Sequence, residues 1–335
     1  MRIGVCGTGT VSSWISSILN QLNDKDIILY ACTSVDLKQT KEFSIKYKYQ
    51  IVYDTVEDLL NDKLVDLVYI AVPNDQHYKV IKEALDHHKN VVCEKPFGIN
   101  YKEVKEVLSI AEKENLFISE ALWPFFLPSH KWINDEINKG TIGELKEGHI
   151  TMLNFVLFLE RVRKLETGGG SLMDMGSYSL GFMVSHFGLD IKTIEASLRK
   201  LDTGVDAEDL VKVTYNNGMV VTIHQSIDTP HEKHEEYGEI IGTKGKVVCD
   251  SISNPKKVQI FDLNNNLIKE FNPPKQIEND GMPRVSGYEY EFETFKEVLK
   301  DGLKETKEIP HKYMLKIVEC MDEIRKQGDI VFPFE

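Results

Sequence analysis

The sequence predicts an α/β protein of two domains, with an N-terminal doubly wound parallel sheet followed by an α+β domain built on a large, mostly antiparallel open sheet. Three observations carry this. Over the first 120 residues short β-rich runs alternate with helical patterns, as βαβ units do. Beyond residue 190 successive β-rich runs are joined by short turns such as Asn216-Asn217-Gly218, as hairpins are. The length, 335 residues, exceeds what one hydrophobic core usually supports.

Taken in order, Arg2–Cys6, Ile27–Thr33, Leu64–Ala71, Asn90–Cys93 and Phe117–Ser119 are short β-rich runs suited to buried parallel strands. Between them, Val11–Leu22, Leu37–Tyr47, Gln76–Asp86 and Tyr101–Glu114 place apolar residues at helical spacing. Around Glu120–Pro128 two prolines and the aromatic residues Trp123, Phe125 and Phe126 interrupt the alternation, so the boundary falls there, giving domains 1–122 and 123–335. The second domain opens with a helix about Ser129–Lys139 and a strand near Gly148–Leu157. A glycine-rich turn then leads into a helix at Ser171–Phe187. Strands follow at Ile191–Leu201, Leu210–Asn216, Met219–Ser226, Tyr237–Gly242, Lys246–Asp250, Val258–Asp262 and Leu267–Phe271, and helices at about Tyr288–Lys300 and His311–Lys326 close the chain.

Composition removes several functional classes. Lys and Arg number 40 against 53 Asp and Glu, a net charge of −13, which repels nucleic-acid phosphates and anionic lipid surfaces. No window approaches the ~20 apolar residues of a membrane span, and Gly4, Gly7 and Gly9 interrupt the apolar run that an export signal would need. Cys6, Cys32, Cys93, Cys249 and Cys320 are widely spaced and odd in number, which predicts free, buried thiols in a reducing cytoplasm.

The first strand runs directly into Gly7-Thr8-Gly9-Thr10-Val11-Ser12, a G-x-G-x-x-S form of the dinucleotide fingerprint. Glycine is needed where the turn is tight and where backbone N–H groups at a helix N-terminus must approach a pyrophosphate; Ser12 is small enough for the close helix–strand contact. Gly7, Gly9, Thr10 and Val11 are therefore cofactor-binding candidates in a Rossmann domain. Polar residues also follow two later strands, in Val72-Pro73-Asn74-Asp75-Gln76-His77 and Cys93-Glu94-Lys95-Pro96, at the carboxyl ends where open α/β sheets bind ligands. His224, His231 and His234 fit no familiar metal-ligand spacing, and no metal is expected.

The Pro-Asn dipeptide, the His three residues after it and the Glu-Lys-Pro strand end resemble the Gfo/Idh/MocA oxidoreductases, which include glucose-fructose oxidoreductase and inositol dehydrogenase. Gly168-Gly169-Gly170 through Asp174 and Tyr178 is similar to that family's substrate-site helix, where many members carry His at the position of Tyr178. Tyr178, Glu120-Ala121-Leu122-Trp123 and the tail from Met321 resemble the dihydrodiol/D-xylose dehydrogenase branch. The resemblance implies an active site between the domains and a hydride transfer between NAD(P) and a secondary alcohol or carbonyl of a sugar, polyol or cyclic diol. It further implies cofactor contacts from Pro73, Asn74, His77, Glu94 and Lys95, and substrate contacts from Lys95, Trp123, Asp174 and Tyr178. Where that branch commonly has Thr-Arg after the Trp, this chain has Pro124-Phe125, implying a less polar or less anionic substrate.

Chemistry assigns the roles. Removing or supplying the hydroxyl proton needs an acid/base, and a phenol serves if a cation lowers its pKa. That makes Tyr178 the acid/base, Lys95 the group that stabilises charge on the reacting oxygen or shares the proton, and Asp174, one helical turn before Tyr178, the orienting group. The end of the second strand, Cys32-Thr33-Ser34-Val35-Asp36, lacks a carboxylate at its expected tip, Ser34. It also lacks the Arg that related NADP enzymes carry. Ser34 and Lys38 remain to hold a 2′-phosphate, and the balance predicts NADP before NAD, with appreciable use of both. Two alternatives come from other classes: an NAD-dependent glycosidase working through transient oxidation, and a non-catalytic dinucleotide sensor. The family's habit of covering an open sheet face predicts a homodimer or homotetramer.

Overall fold

Six short strands, β1 (Arg2–Cys6), β2 (Ile28–Thr33), β3 (Ile51–Val52), β4 (Leu67–Ile70), β5 (Asn90–Glu94) and β6 (Ile118–Ala121), lie in the order β3-β2-β1-β4-β5-β6, and every pair is parallel. Their centres are continuous apolar runs. Leu67 through Ile70 and Val91 through Cys93 are wholly buried, as strands covered on both faces must be. The computed structural model describes residues 1–279 and 282–335.

The connecting helices are α1 (Thr10–Leu22), α2 (Leu37–Tyr47), α3 (Val56–Asn61), α4 (His77–Asp86) and α5 (Tyr101–Lys113). Asp36, Thr55 and Asn100 start α2, α3 and α5 by accepting hydrogen bonds from first-turn N–H groups. From β1 the chain moves outward to β3 and then returns to β4. The β1/β4 gap is thus the switch point, the place where a doubly wound sheet opens a crevice at its strand carboxyl ends.

The remaining large sheet is built from β7 (Leu145–Leu153), β8 (Ile191–Lys200), β9 (Asp206–Tyr215), β10 (Val220–Ser226), β11 (Glu235–Gly242), β12 (Gly245–Cys249), β13 (Val258–Asp262) and β14 (Leu267–Phe271). Its order is β14-β13-β12-β11-β7-β10-β9-β8, antiparallel throughout except between β7 and β10. The helix α6 (Pro128–Asn138) precedes it, and α7 (Ser171–Phe187) lies against one face. Two glycines allow this close approach: a Cβ on Gly148 would stand 2.2 Å from the Phe187 ring and one on Gly238 2.9 Å from Phe182.

The chain divides into two compact units, Met1–Trp123 with Lys275–Met314, and Pro124–Pro274 with Leu315–Glu335. The single boundary expected after residue 122 needs correction, because the segment from Lys275 returns to the first unit. It contains β15 (Glu278–Asn279), β16 (Met282–Ser286) and α8 (Tyr288–Lys300), and α9 (His311–Gln327) follows it. Phe292 of α8 stacks on Tyr69 at 5.4 Å, Phe295 packs on Phe117 at 5.8 Å, and Lys296 pairs with Asp24 at 2.6 Å. The apolar stripe of α8 is plain in the sequence, but nothing local says which sheet it covers. All five cysteines are buried and unpaired, as read. Among the described residues no helix is long and apolar enough to cross a membrane.

Candidate active site

The first turn of the parallel sheet separates two kinds of glycine. Gly7 has φ +101°, and a Cβ there would lie 2.2 Å from the backbone oxygen of Ala71; its glycine is forced by the fold. Gly9 has φ −78°, open to any residue, and its Cβ would meet nothing within 4 Å. No protein atom explains Gly9, whereas a pyrophosphate approaching the mouth of α1 would. That mouth is also electrically free for an anion, since α1 has neither a side-chain cap nor an acidic residue in its first turn, leaving the N–H groups of Thr10 and Val11 without helical acceptors. Ser12 is fully buried and donates to Gly7 O at 2.8 Å, tying the helix to the turn. The residues present therefore fit a dinucleotide.

At the tip of β2, Ser34 joins a hydroxyl cluster with Thr8 (3.1 Å) and Thr40 (2.6 Å). Asp36 Oδ1 accepts from Gln39 N at 3.0 Å and caps α2. Val35 and Lys38 are exposed on the same stretch.

The loops after β4 and β5 are locked together by one side chain. His77 is buried, with Nδ1 2.8 Å from Pro96 O and Nε2 2.9 Å from Val72 O. Burial holds its pKa below the usual imidazole value. Both ring nitrogens face backbone oxygens, and a neutral ring donates to one of the two, which ties the loops to each other through His77. It spans Pro73 and the half-buried Asn74 on one side and Lys95-Pro96, whose peptide bond is cis, on the other. Glu94 is likewise an anchor. Its carboxylate is buried, accepts from Tyr69 Oη at 2.5 Å and from Lys95 N at 3.3 Å. Behind it lies Glu291 of α8, which the sequence did not single out. It is wholly buried, neither oxygen has a hydrogen-bond partner, and burial together with Glu94 pushes its pKa well above the carboxylate range.

Lys95 follows β5 immediately. It therefore lies on the same sheet edge as the Gly7–Gly9 turn, Ser34 and the Pro73–His77 loop, in the strand order β2-β1-β4-β5. Trp123, expected against substrate, is 7% exposed and stacks on Tyr288 at 5.1 Å. Phe125, in the second unit, packs on His130 at 4.8 Å.

In that unit α7 is buried except for Tyr178 and Ser185, which singles out Tyr178 as the aromatic group it offers outward. One turn earlier Asp174 Oδ1 is 2.9 Å from Arg161 Nη2. Sequence reasoning missed Arg161, which sits in a short 3-10 turn, Glu160–Arg163, and matches no motif; the one signal was its position shortly before the glycine-rich turn. His224 faces Glu208 at 2.8 Å, and the rings of His231 and His234 lie 4.7 Å apart at a tilt of 33°.

A doubly wound sheet whose first turn leaves room for a pyrophosphate, with a lysine two strands away on the same sheet edge, has the layout of a dinucleotide-binding domain. Residues 1–121 match the NAD-binding Rossmann-fold model of the Gfo/Idh/MocA oxidoreductase family, and residues 130–248 match that family's C-terminal domain. The chain belongs to the Gfo/Idh/MocA family. It is 28% identical to the trans-1,2-dihydrobenzene-1,2-diol dehydrogenase of Mus musculus and 29% identical to that of Bos taurus, over 99% of this chain and 98% of each relative. Its fold is similar to a levoglucosan dehydrogenase solved with NADH and levoglucosan (TM-score 0.86, 16% identity, 98% of this chain and 97% of that one). It is similar as well to a 3-ketoreductase from Actinomadura kijaniata solved with NADP and TDP-benzene (TM-score 0.83, 19% identity, the same coverage).

Proposed function

We propose that the protein is an NAD(P)-dependent dehydrogenase or reductase that interconverts a secondary alcohol and a carbonyl on a cyclic diol, a sugar or a polyol. The observation that carries this reading is the unexplained glycine at position 9, which leaves room at the mouth of α1 on the same sheet edge as Lys95. The nicotinamide, when bound, supplies or accepts the hydride. Thr10 and Val11 hold the pyrophosphate through their N–H groups, and His77 and Glu94 fix the loop that carries Lys95. Lys95 stabilises negative charge on the reacting oxygen, Tyr178 gives or takes its proton, and Asp174, itself held by Arg161, orients the hydroxyl.

Cyclic vicinal diols are the first substrate class to test, because the chain is similar to dihydrodiol dehydrogenases over nearly its full length. NADP is the favoured cofactor, since Asp36 is committed to capping α2 and β2 otherwise ends without an acid that would repel a 2′-phosphate. The outward face of β7 to β10, where Leu210 is 51% exposed, suits pairing of two copies.

A panel of cyclic diols, sugars, polyols and dicarbonyls, assayed by nicotinamide absorbance with both cofactors, tests the reading. Turnover of a cyclic diol or sugar with a higher kcat/KM for NADP is expected. Failure to bind either dinucleotide overturns it.

A further inference from the structure

Beneath α7 lie two acids that the proposed reaction does not use. Asp206 and Asp209 stand three apart on β9, and an ideal strand would send them to opposite faces. The register slips where Arg199 pairs with Glu208 and Lys200 with Asp206, so Ala207 is an extra residue, and the bulge turns Asp206 to the same buried side as Asp209. They are 1% and 0% exposed.

Each reaches a different turn of the helix. Asp206 Oδ2 accepts from Leu172 N at 2.5 Å, and its other oxygen lies 2.2 Å from where a Cβ on Gly170 would be, so the φ +115° glycine before α7 is cut to fit this carboxylate. Asp209 Oδ2 accepts from Gln225 Nε2 at 2.8 Å, and Gln225 Oε1 accepts from Ser179 Oγ at 2.5 Å. Asp174 and Tyr178 stand on the turns between these two anchors. The groups facing the carboxyls are Ser171 and Leu172 from α7, Gln225 from β10 and each other; none of these carries a positive charge. Among the described residues Asp209 Oδ1 is buried with no hydrogen-bond partner within reach, and the buried Ser171 hydroxyl that faces Asp209 has none either. A proton on Asp209 Oδ1 would satisfy it and remove the repulsion between two adjacent buried anions.

We propose that Asp206 and Asp209 hold a single proton between them, carried on Asp209, and that this pair is the positioning device that fixes α7 and with it Asp174 and Tyr178. Burial and the neighbouring Asp206 push the Asp209 carboxyl well above its usual range; burial raises Asp206 too, with the N–H groups at the α7 start and the Asp209 side chain opposing it. The catalytic consequence rests on the function proposed above; the anchoring of α7 does not.

Asp209→Asn and Asp206→Asn in the full chain test it. Asn at 209 keeps a neutral donor toward Asp206, so hydrogen exchange across residues 171–179 should stay within about twofold of wild type, while the infrared carbonyl stretch of buried protonated acids loses intensity. Asp206→Asn removes the acceptor of Leu172 N, and exchange there should rise by roughly tenfold or more. If a substrate has been found, Asp206→Asn lowers kcat more than it raises KM, and Asp209→Asn displaces the alkaline limb of the wild-type kcat profile, which a purely structural role would not move. An unchanged infrared acid band in Asp209→Asn, or faster α7 exchange in that variant, overturns the proposal. Should Asp206→Asn fail to fold, Asp209→Asn alone decides. Because exchange and infrared spectra need no substrate, a protein that binds neither dinucleotide refutes the functional reading and leaves this one standing on its own result.

Discussion

Two alanines placed two residues apart should have opposite effects. Gly7→Ala puts a side chain at φ +101° and a methyl 2.2 Å from a backbone oxygen. The conformation alone costs ~1–3 kcal/mol, and no rotamer change relieves a backbone clash, so a loss of about 3 kcal/mol or more is expected. If the unit Met1–Trp123 with Lys275–Met314 melts as one domain, that lowers its Tm by roughly 6–12 °C. Gly9→Ala takes φ −78° and open space. Its helix-cap penalty, a few tenths to ~1 kcal/mol, is offset by the ~0.4–1 kcal/mol gained by stiffening the unfolded chain. Stability should barely move. The methyl then occupies the approach of the pyrophosphate, and losing one charge-assisted hydrogen bond of ~1.5–3 kcal/mol weakens dinucleotide binding roughly tenfold to a hundredfold. Calorimetric titration of NADP and NAD, with thermal melts of both variants, reads the two effects separately. If Gly9→Ala binds both cofactors within about twofold of wild type, the space at α1 is not a pyrophosphate site.

Lys95→Met should lower kcat by a factor on the order of 10² while cofactor affinity stays within several-fold; unchanged turnover in the folded variant would remove Lys95 from the chemistry. Tyr178→Phe keeps the ring and deletes the hydroxyl, so the pH–rate profile should lose one limb, and a wild-type profile would assign the proton to Lys95 or a water. Burial and Glu94 raise the pKa of Glu291, so the folded protein should keep a proton that the unfolded chain releases above about pH 4, and this group's share of stability should fall as pH rises, by up to ~1.4 kcal/mol per pH unit. Glu291→Gln cancels this share, so its Tm advantage over wild type should widen from pH 5 to pH 8, and parallel curves would show Glu291 to be ionised or solvated.

The elements with a strong period were legible, and those without one were not. α2, α7, α8, β13 and β14 begin and end where the pattern places them, because each carries its own stripe or alternation and its own stop signal. The two-residue β3 and six-residue α3 are too short to show a period. The start of β9 was lost for a different reason. Asp206, Glu208 and Asp209 read as a polar turn leading into Leu210, whereas two of the three acids are among the most buried residues in the second unit. A buried carboxyl contradicts the hydrophobic pattern on which strand assignment depends, and it does so where it holds a helix terminus.

The site divides along the same line. Residues that act through backbone geometry, such as Gly7 and the Glu94-Lys95-Pro96 strand end, could be read because a tight turn or a strand tip restricts which residue types fit. What a side chain touches could not: nothing in the His77 pattern announces the two backbone oxygens, from the loops after β4 and β5, that its ring nitrogens face at 2.8 and 2.9 Å. The glycine pair shows why this matters for function. Positions 7 and 9 look alike in sequence, yet the fold accounts for the first and leaves the second unexplained. The fold asks of Gly9 only a modest N-cap preference, so the open space beside it bears on the proposed dinucleotide site more directly than Gly7, which the protein would need with or without a ligand.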